Sequence, residues 1–154
     1  MLKNLDPLLN ADVLHALRSM GHGDDLIISD TNFPADSVAR ATVYGKLLRI
    51  DCDTAARAVR AILSVMPLDS FVTSPASRMQ VGADPKDIPA VQSEVQKEID
   101  HAEGKSWPMA VVERFAFYDL AKKSYCVVQT GERRFYGCIV LKMGVVAPDV
   151  KLGA

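Results

Sequence analysis

The spacing of apolar and polar residues predicts alternating helices and short strands over the first two thirds of the chain. From Asn10 to Met20, apolar residues recur at every third or fourth position, which is typical of an amphipathic helix with Asn10 as its N-cap. Gly21 is expected to end this helix in the left-handed conformation. The apolar run 26–28 then predicts a buried strand, and turn-forming residues follow it: Asp30, Asn32 and Pro34.

The same pattern predicts the middle of the chain. The expected elements are strands at 46–50 and 109–112 and helices at 54–66, 88–102 and 115–123. Four prolines between 67 and 90 predict mainly loop, with one strand near Phe71 left open.

Two apolar runs close the chain, at 125–130 and 135–143. The polar segment 131–134 between them favours a β-hairpin, and a short crossover stays open. Helices and strands that alternate early and strands that cluster late are typical of an α/β domain, with a central sheet flanked by helices on one or both faces.

Composition narrows the class of partner. The 154 residues suit one compact domain over 1–154, and 18 basic against 19 acidic side chains leave a net charge of −1. This balance does not favour a polyanionic partner. No apolar run approaches the ~20 residues that cross a bilayer, and the first residues lack a secretory pattern. We therefore expect a cytoplasmic protein with no nucleic-acid and no membrane partner.

The cysteines are three in number and are never spaced Cys-x-x-Cys: Cys52, Cys126 and Cys138. An odd, scattered set argues against a disulfide framework and against a structural zinc site. Reduced, mostly buried thiols are the expectation.

His22 is the candidate catalytic residue, because it stands between two glycines just before the first strand. Flanking glycines permit close approach of a ligand, and an imidazole exchanges protons near neutral pH. The alternative is a histidine that only hydrogen-bonds within a turn. A metal site built from His22, Asp24, Asp25 and Asp30 is also open, but the spacing matches no known ligand pattern and adjacent aspartates do not easily converge on one ion.

Arg114 and Tyr136 are two further candidates for ligand binding. Arg114 stands between a predicted strand and an aromatic run, where it can point into a cleft or pair with Glu113 or Asp119. Tyr136, at the start of the last apolar run, offers a hydroxyl and an apolar ring face that suit a sugar. Core packing explains the tyrosine equally well.

Several segments, taken in order, resemble the L-fucose mutarotase and D-ribose pyranase family. They are Gly21-His22-Gly23-Asp24, Asp30 with Asn32-Phe33-Pro34, Glu113-Arg114-Phe115-Ala116-Phe117-Tyr118, Thr130-Gly131-Glu132 and Tyr136-Gly137. The Arg-Phe-x-Phe-Tyr run followed by Thr-Gly-Glu is closer to the fucose branch than to the ribose branch. The resemblance spans most of the chain.

The resemblance implies a single α/β domain of that family's type and an enzyme that interconverts α and β anomers of L-fucose or a related monosaccharide. By this resemblance His22 would be the catalytic proton donor, and Asp30, Arg114, Tyr136, Gly137 and Cys138 would hold the sugar. Acid–base chemistry opens and recloses the ring, so no cofactor and no metal are implied. Family members are similar in forming rings, often decamers, in which a neighbouring subunit completes the site, so a homo-oligomer is expected.

One departure from the family bears on the substrate. Fucose mutarotases carry asparagine where this chain has Cys138, so a carboxamide is replaced by a weakly bonding thiol. Two other functions stay open at this point. One is a D-ribose pyranase, which interconverts pyranose and furanose forms, and the other is a sugar-binding module without catalysis.

Overall fold

The computed structural model describes residues 2–150. It contains five helices and six strands within that range. The helices are α1 (Ala11–Ser19), α2 (Ala35–Ala39), α3 (Ala55–Leu63), α4 (Ala90–Glu103) and α5 (Arg114–Lys123). The strands are β1 (Asp25–Ser29), β2 (Leu48–Arg49), β3 (Ala76–Met79), β4 (Ala110–Val112), β5 (Cys126–Gln129) and β6 (Ile139–Lys142).

The helix caps follow the local sequence at three helix ends. The side chain of Asn10 accepts a hydrogen bond from the backbone N–H of Val13, and Thr54 caps α3 in the same way. Gly104 ends α4 with a φ of +64°. The prediction for Gly21 is wrong, because α1 ends in extended backbone at Met20 and the left-handed turn residue is Gly23, with a φ of +87°.

The six strands form one mixed sheet in the order β2-β5-β1-β6-β3-β4. Strands β2, β5 and β1 are parallel, β3 and β4 are parallel, and β6 runs antiparallel to both β1 and β3. The predicted hairpin between the last two strands is therefore wrong. Strand β1 lies between β5 and β6. Strands β5 and β6 are each buried on both faces, and each has a neighbouring strand on either side.

Alternation along the strands divides the core into two layers. Leu26 and Ile28 of β1 face a cluster formed with α1, α3 and α4, whereas Ile27 faces a smaller cluster formed with α2 and α5. Helices therefore cover both faces of the sheet, and the predicted α/β class is confirmed. None of the helices in residues 2–150 is long and apolar enough to cross a bilayer.

The segment 67–90 contains more regular structure than its prolines predict. Ala76–Met79 forms β3 inside the sheet, where Arg78 pairs with Ile139 of β6. The predicted strand near Phe71 is absent from the described part of the chain, where the nearest pairing is a single bridge between Leu68 and Met143. Pro75 stands immediately before β3, where its missing N–H costs no ladder hydrogen bond.

Candidate active site

A cavity of about 240 Å³ opens beyond the C-terminal end of β1, on the face that carries α2 and α5. Its walls combine two charged side chains with aromatic rings: Asp30, Asn32, Phe33, Met79, Arg114, Tyr118, Phe135, Tyr136 and Cys138. Four predicted sugar-binding side chains, those of Asp30, Arg114, Tyr136 and Cys138, thus meet in one cavity although they lie up to 108 residues apart. Sites for small molecules commonly combine apolar and aromatic walls with a few precisely placed polar groups.

Asp30 is the buried acceptor at the base of this cavity. Only 3% of the residue is exposed, and its Oδ1 accepts hydrogen bonds from the backbone N–H groups of Asn32 and Phe33, each at 2.9 Å. Its Oδ2 accepts from the backbone N–H of Gly137 at 3.1 Å. These contacts fix the carboxylate and tie the turn after β1 to the segment before β6.

The segment before β6 is shaped by two backbone constraints. Tyr136 adopts a left-handed φ of +65°, which is uncommon for a residue with a side chain. At Gly137 an added Cβ would lie 2.9 Å from Cγ of Glu132 and 3.3 Å from Cβ of Asp30. A glycine is needed there so that the backbone can approach Asp30 closely.

Cys138 completes the contacts of Asp30. Its Sγ lies 3.6 Å from Oδ2 of Asp30, and the residue is 2% exposed. Burial, and then the negative charge of Asp30, raise the pKa of the Cys138 thiol well above its usual value. The side chain is therefore a neutral thiol that donates a weak S–H hydrogen bond to the carboxylate.

Gln92 of α4 holds two parts of the cavity wall from behind. Its amide is fully buried and donates to the backbone carbonyls of Met79 at 2.8 Å and Tyr136 at 2.9 Å. Its carbonyl oxygen accepts from the buried guanidinium of Arg78 at 2.9 Å. Arg78 in turn donates to the backbone carbonyls of Pro85 and Asp87.

Arg114 begins α5 at the mouth of the cavity. Its guanidinium lies 4.9 Å from the centre of the Phe115 ring. The ion pair of Arg114 with Glu113 or Asp119, the alternative that the sequence allowed, does not form. The Glu113 carboxylate caps α5 by accepting from the N–H groups of Phe115 and Ala116, and Asp119 lies 3.9 Å from Lys122.

His22 lies at the other end of β1, outside the cavity. Strand β1 places about 13 Å of extended backbone between Asp25 and Ser29, so one chain does not bring His22 to Asp30. The His22 Nε2 atom is 3.0 Å from Oδ1 of the buried Asp69, and the His22 ring packs 5.3 Å from that of Phe71.

The four residues considered for a metal are not brought together. Asp24 accepts from the N–H of Gly21, and Asp25 pairs with Lys142 at 2.7 Å. Asp30 lies at the far end of the strand from His22. No group of three possible ligands stands close enough to hold a metal ion anywhere in residues 2–150.

Comparison with known proteins shows the family to which the chain belongs. Residues 3–146 match the model of the RbsD / FucU transport protein family. The chain belongs to that family. An L-fucose mutarotase from Actinobacillus pleuropneumoniae serotype 5b is 39% identical over 146 residues, covering 94% of this chain and 97% of the relative.

Solved structures share the fold over nearly the whole chain. The crystal structure of protein Atu2016 is 63% identical, with a TM-score of 0.94 over 96% of this chain and 97% of that one. The fucose mutarotase from Streptococcus pneumoniae, solved with L-fucose, is 35% identical, with a TM-score of 0.83. The match covers 95% of this chain and 100% of that one. RbsD from Bacillus subtilis, solved with D-ribose, has a TM-score of 0.68, and the match covers 96% of this chain and 100% of that one. The two sequences are only 18% identical, so this likeness shows the fold alone.

Some residues of the site carried too weak a signal to be found from the sequence. Phe33 and Tyr118 stand in segments that carry the resemblance, but the sequence does not show that their rings stack, with centres 5.2 Å apart. Phe135 lies exposed at the cavity mouth. Met79 lies in the proline-rich stretch 67–90, for which the sequence predicts mainly loop. Asp69 also lies in the stretch 67–90, 47 positions after His22. Only the antiparallel placement of β6 beside β1 brings these two residues together.

Proposed function

We propose that this protein is a cofactor-independent isomerase, a monosaccharide mutarotase that interconverts the α and β anomers of L-fucose or a closely related sugar. The observation that carries the proposal is the cavity that joins Asp30, Arg114 and Tyr136 within about 240 Å³. That volume lies below the ~300 Å³ at which sites for drug-sized ligands begin, so it suits one small sugar. The named fucose mutarotases among the relatives support the same activity.

The chemistry requires that a proton be taken from the anomeric hydroxyl and one be given to the ring oxygen, and a single group can do both. His22 accepts the proton of the anomeric hydroxyl as the C1=O bond forms, and the bond between C1 and the ring oxygen breaks. The same proton then passes to the ring oxygen and leaves the open aldehyde, which recloses on its other face. Both oxygens are attached to C1, so one imidazole can serve both, and the atoms balance without a cofactor.

Asp30, Arg114 and the segment 136–138 hold the sugar in this proposal. The Asp30 carboxylate can accept from sugar hydroxyls, and the Arg114 guanidinium can donate two directed hydrogen bonds. The rings of Phe33, Tyr118 and Tyr136 supply apolar faces for the C–H groups of the sugar.

The active unit is a homo-oligomer in which His22 enters the cavity of a neighbouring copy. Within one chain His22 and Asp30 lie at opposite ends of β1, and each end carries exposed aromatic rings. Phe71, beside His22, is 74% exposed, while Phe135 and Phe115, beside the cavity, are 72% and 65% exposed. Joining unlike ends of two copies is a head-to-tail contact, which closes into a ring when the rotation permits.

Saturation-transfer NMR tests the function directly. We expect the protein to speed exchange between the α and β signals of L-fucose, with slower exchange for D-ribose, galactose, rhamnose and arabinose. Faster exchange between ribose pyranose and furanose than between fucose anomers would favour a pyranase. Sugar binding without acceleration on any of the five would leave a binding module. The cytoplasmic location and the ring of ten stay predictions.

Cys138→Asn is expected to raise L-fucose exchange about fivefold, or roughly 1 kcal/mol in kcat/KM. The amide N–H can replace the weak S–H bond to Asp30 and leave a carbonyl for a sugar hydroxyl. The rate is measured by the same NMR exchange experiment. Cys138→Ala is the matched control, and it should slow exchange because it removes the donor. Unchanged rates on every sugar for both variants would show that Cys138 only packs before β6.

A further inference from the structure

We propose that Gln92 is a positioning residue of the sugar site: it fixes the peptide group between Tyr136 and Gly137, and Arg78 fixes the Gln92 side chain in turn. The inference rests on the proposed function of the cavity, because it concerns how tightly the cavity holds a sugar. Neither Gln92 nor Arg78 lines the cavity, so both act through residues that do.

The peptide group between Tyr136 and Gly137 is hydrogen-bonded at both of its ends. Its N–H donates to Oδ2 of Asp30 at 3.1 Å, and its C=O accepts from Nε2 of Gln92 at 2.9 Å. In a trans peptide these two groups point in opposite directions, so Asp30 and Gln92 hold it from opposite sides. A rotated peptide would turn its carbonyl oxygen towards the Asp30 carboxylate, where two acceptors repel each other. Asp30 and Gln92 together therefore fix the backbone that carries the Tyr136 ring.

Gln92 also joins this peptide to the end of β3. The N–H of Met79 donates to the carbonyl of Cys138 at 3.2 Å. Beyond this contact, the carbonyl oxygens of Met79 and Tyr136 both accept from the Gln92 amide, at 2.8 and 2.9 Å. Met79 and Tyr136 both line the cavity. One buried side chain thus sets the separation of two lining residues, and small displacements of such residues weaken a binding site.

Arg78 decides which end of the Gln92 side chain meets these carbonyls. A guanidinium can only donate, so its contact with Gln92, at 2.9 Å, must be with the amide oxygen. The NH₂ group is thereby left for the two backbone carbonyls, which can only accept. Arg78 is itself 4% exposed, and it is fixed by the carbonyls of Pro85 and Asp87 at 2.7 and 2.9 Å. The orientation of the amide is therefore set by hydrogen-bonding chemistry on both sides.

The test is Gln92→Glu, which keeps the size of the side chain and an oxygen for Arg78 but replaces the NH₂ donor with a second oxygen. The carboxylate then faces two carbonyl oxygens, so the peptide after Tyr136 loses its anchor. The KM for L-fucose exchange, measured by saturation-transfer NMR, should rise about tenfold, while kcat stays within about threefold of wild type. Hydrogen exchange of the Gly137 amide should become about tenfold faster.

Gln96→Glu is the matched control, because Gln96 lies one turn further along α4 and also joins backbone groups. Its amide donates to the carbonyl of Trp107 at 2.9 Å and accepts from the N–H of Met109 at 2.8 Å. Neither Trp107 nor Met109 lines the cavity. The KM and the exchange of the Gly137 amide should therefore stay within about threefold of wild type in this variant.

Equal rises of KM in the two variants would overturn the proposal, because they would report a general loss of stability. An unchanged KM in Gln92→Glu, beside normal wild-type exchange, would also overturn it and leave the mutarotase function intact. If Gln92→Glu does not fold, the wild type decides: slow exchange of both Gln92 side-chain amide protons with water supports the proposal, and fast exchange overturns it. Absence of anomer exchange in the wild type would instead count against the proposed function, and these amide protons would still report on Gln92.

Discussion

His22→Ala is expected to lower the rate of L-fucose anomer exchange by about 10² to 10⁴, the usual contribution of a positioned proton-transfer group. The fold should persist, because the side chain is half exposed and its turn is held by backbone hydrogen bonds. The rate is measured by saturation-transfer NMR and the fold by circular dichroism. His101→Ala is the matched control, since His101 lies exposed on α4, away from the cavity. Exchange by His22→Ala within about threefold of wild type would remove His22 from the mechanism.

A mixing experiment tests whether the site is shared between copies. His22→Ala and Asp30→Asn are each expected to be inactive alone, because each removes one half of the site. When the two are dissociated, mixed equally and reassembled, about a quarter of the sites should combine an intact His22 with an intact Asp30. Recovery of about a quarter of the wild-type rate supports a shared site. A mixture that stays inactive, with mixed oligomers verified by mass spectrometry, would contradict it.

The sequence specified this fold best where local signals act alone. Caps such as Asn10 and Thr54 bind backbone N–H groups three residues away, so a short window contains the whole interaction. The buried strands β1 and β5 were also evident from their apolar runs. The strand order was not evident, because an apolar run does not show which strand it pairs with. In the structure β1 lies between β5 and β6, so these two strands do not form the expected hairpin.

The site followed the same division. The sequence singles out Asp30, Arg114 and Tyr136 as candidates because each sits at the end of a predicted element or in a motif that resembles the family, and the structure brings the three to one cavity. Asp69 and Gln92 were missed because a buried polar residue in a loop or helix leaves no periodic signal. Their partners, His22 and Tyr136, lie 47 and 44 residues away, and only the folded chain shows the contacts.

Glu132→Gln is expected to have the largest effect on stability, because Glu132 anchors the segment that carries Tyr136, Gly137 and Cys138. It is 2% exposed and accepts from the N–H of Ala55, from the backbone of Arg134 and from the Arg134 guanidinium. Breaking such a buried, charged network should cost about 3 kcal/mol. For a domain of this size that corresponds to a loss of roughly 6 to 12 °C in Tm, measured at fixed protomer concentration.

The matched control is Glu94→Gln, because Glu94 binds the other side of the same guanidinium, at 2.8 Å, from an exposed position. It should cost less than about 1 kcal/mol. Equal losses of Tm in the two variants would show that burial of Glu132 adds nothing to the network.

The same network makes a part of the stability depend on pH. Burial raises the pKa of Glu132, but the hydrogen bonds from Arg134 and Ala55 outweigh it and hold the pKa below its usual value. A lowered pKa in the folded state means that the stabilisation is complete above the unfolded value, about 4.3, and is lost as the pH falls through the folded value. The difference in Tm between wild type and Glu132→Gln should therefore be constant from pH 7 to pH 5 and should shrink below about pH 4. A difference that grows on acidification would reverse the sign of this linkage and place the proton on Glu132 in the folded protein.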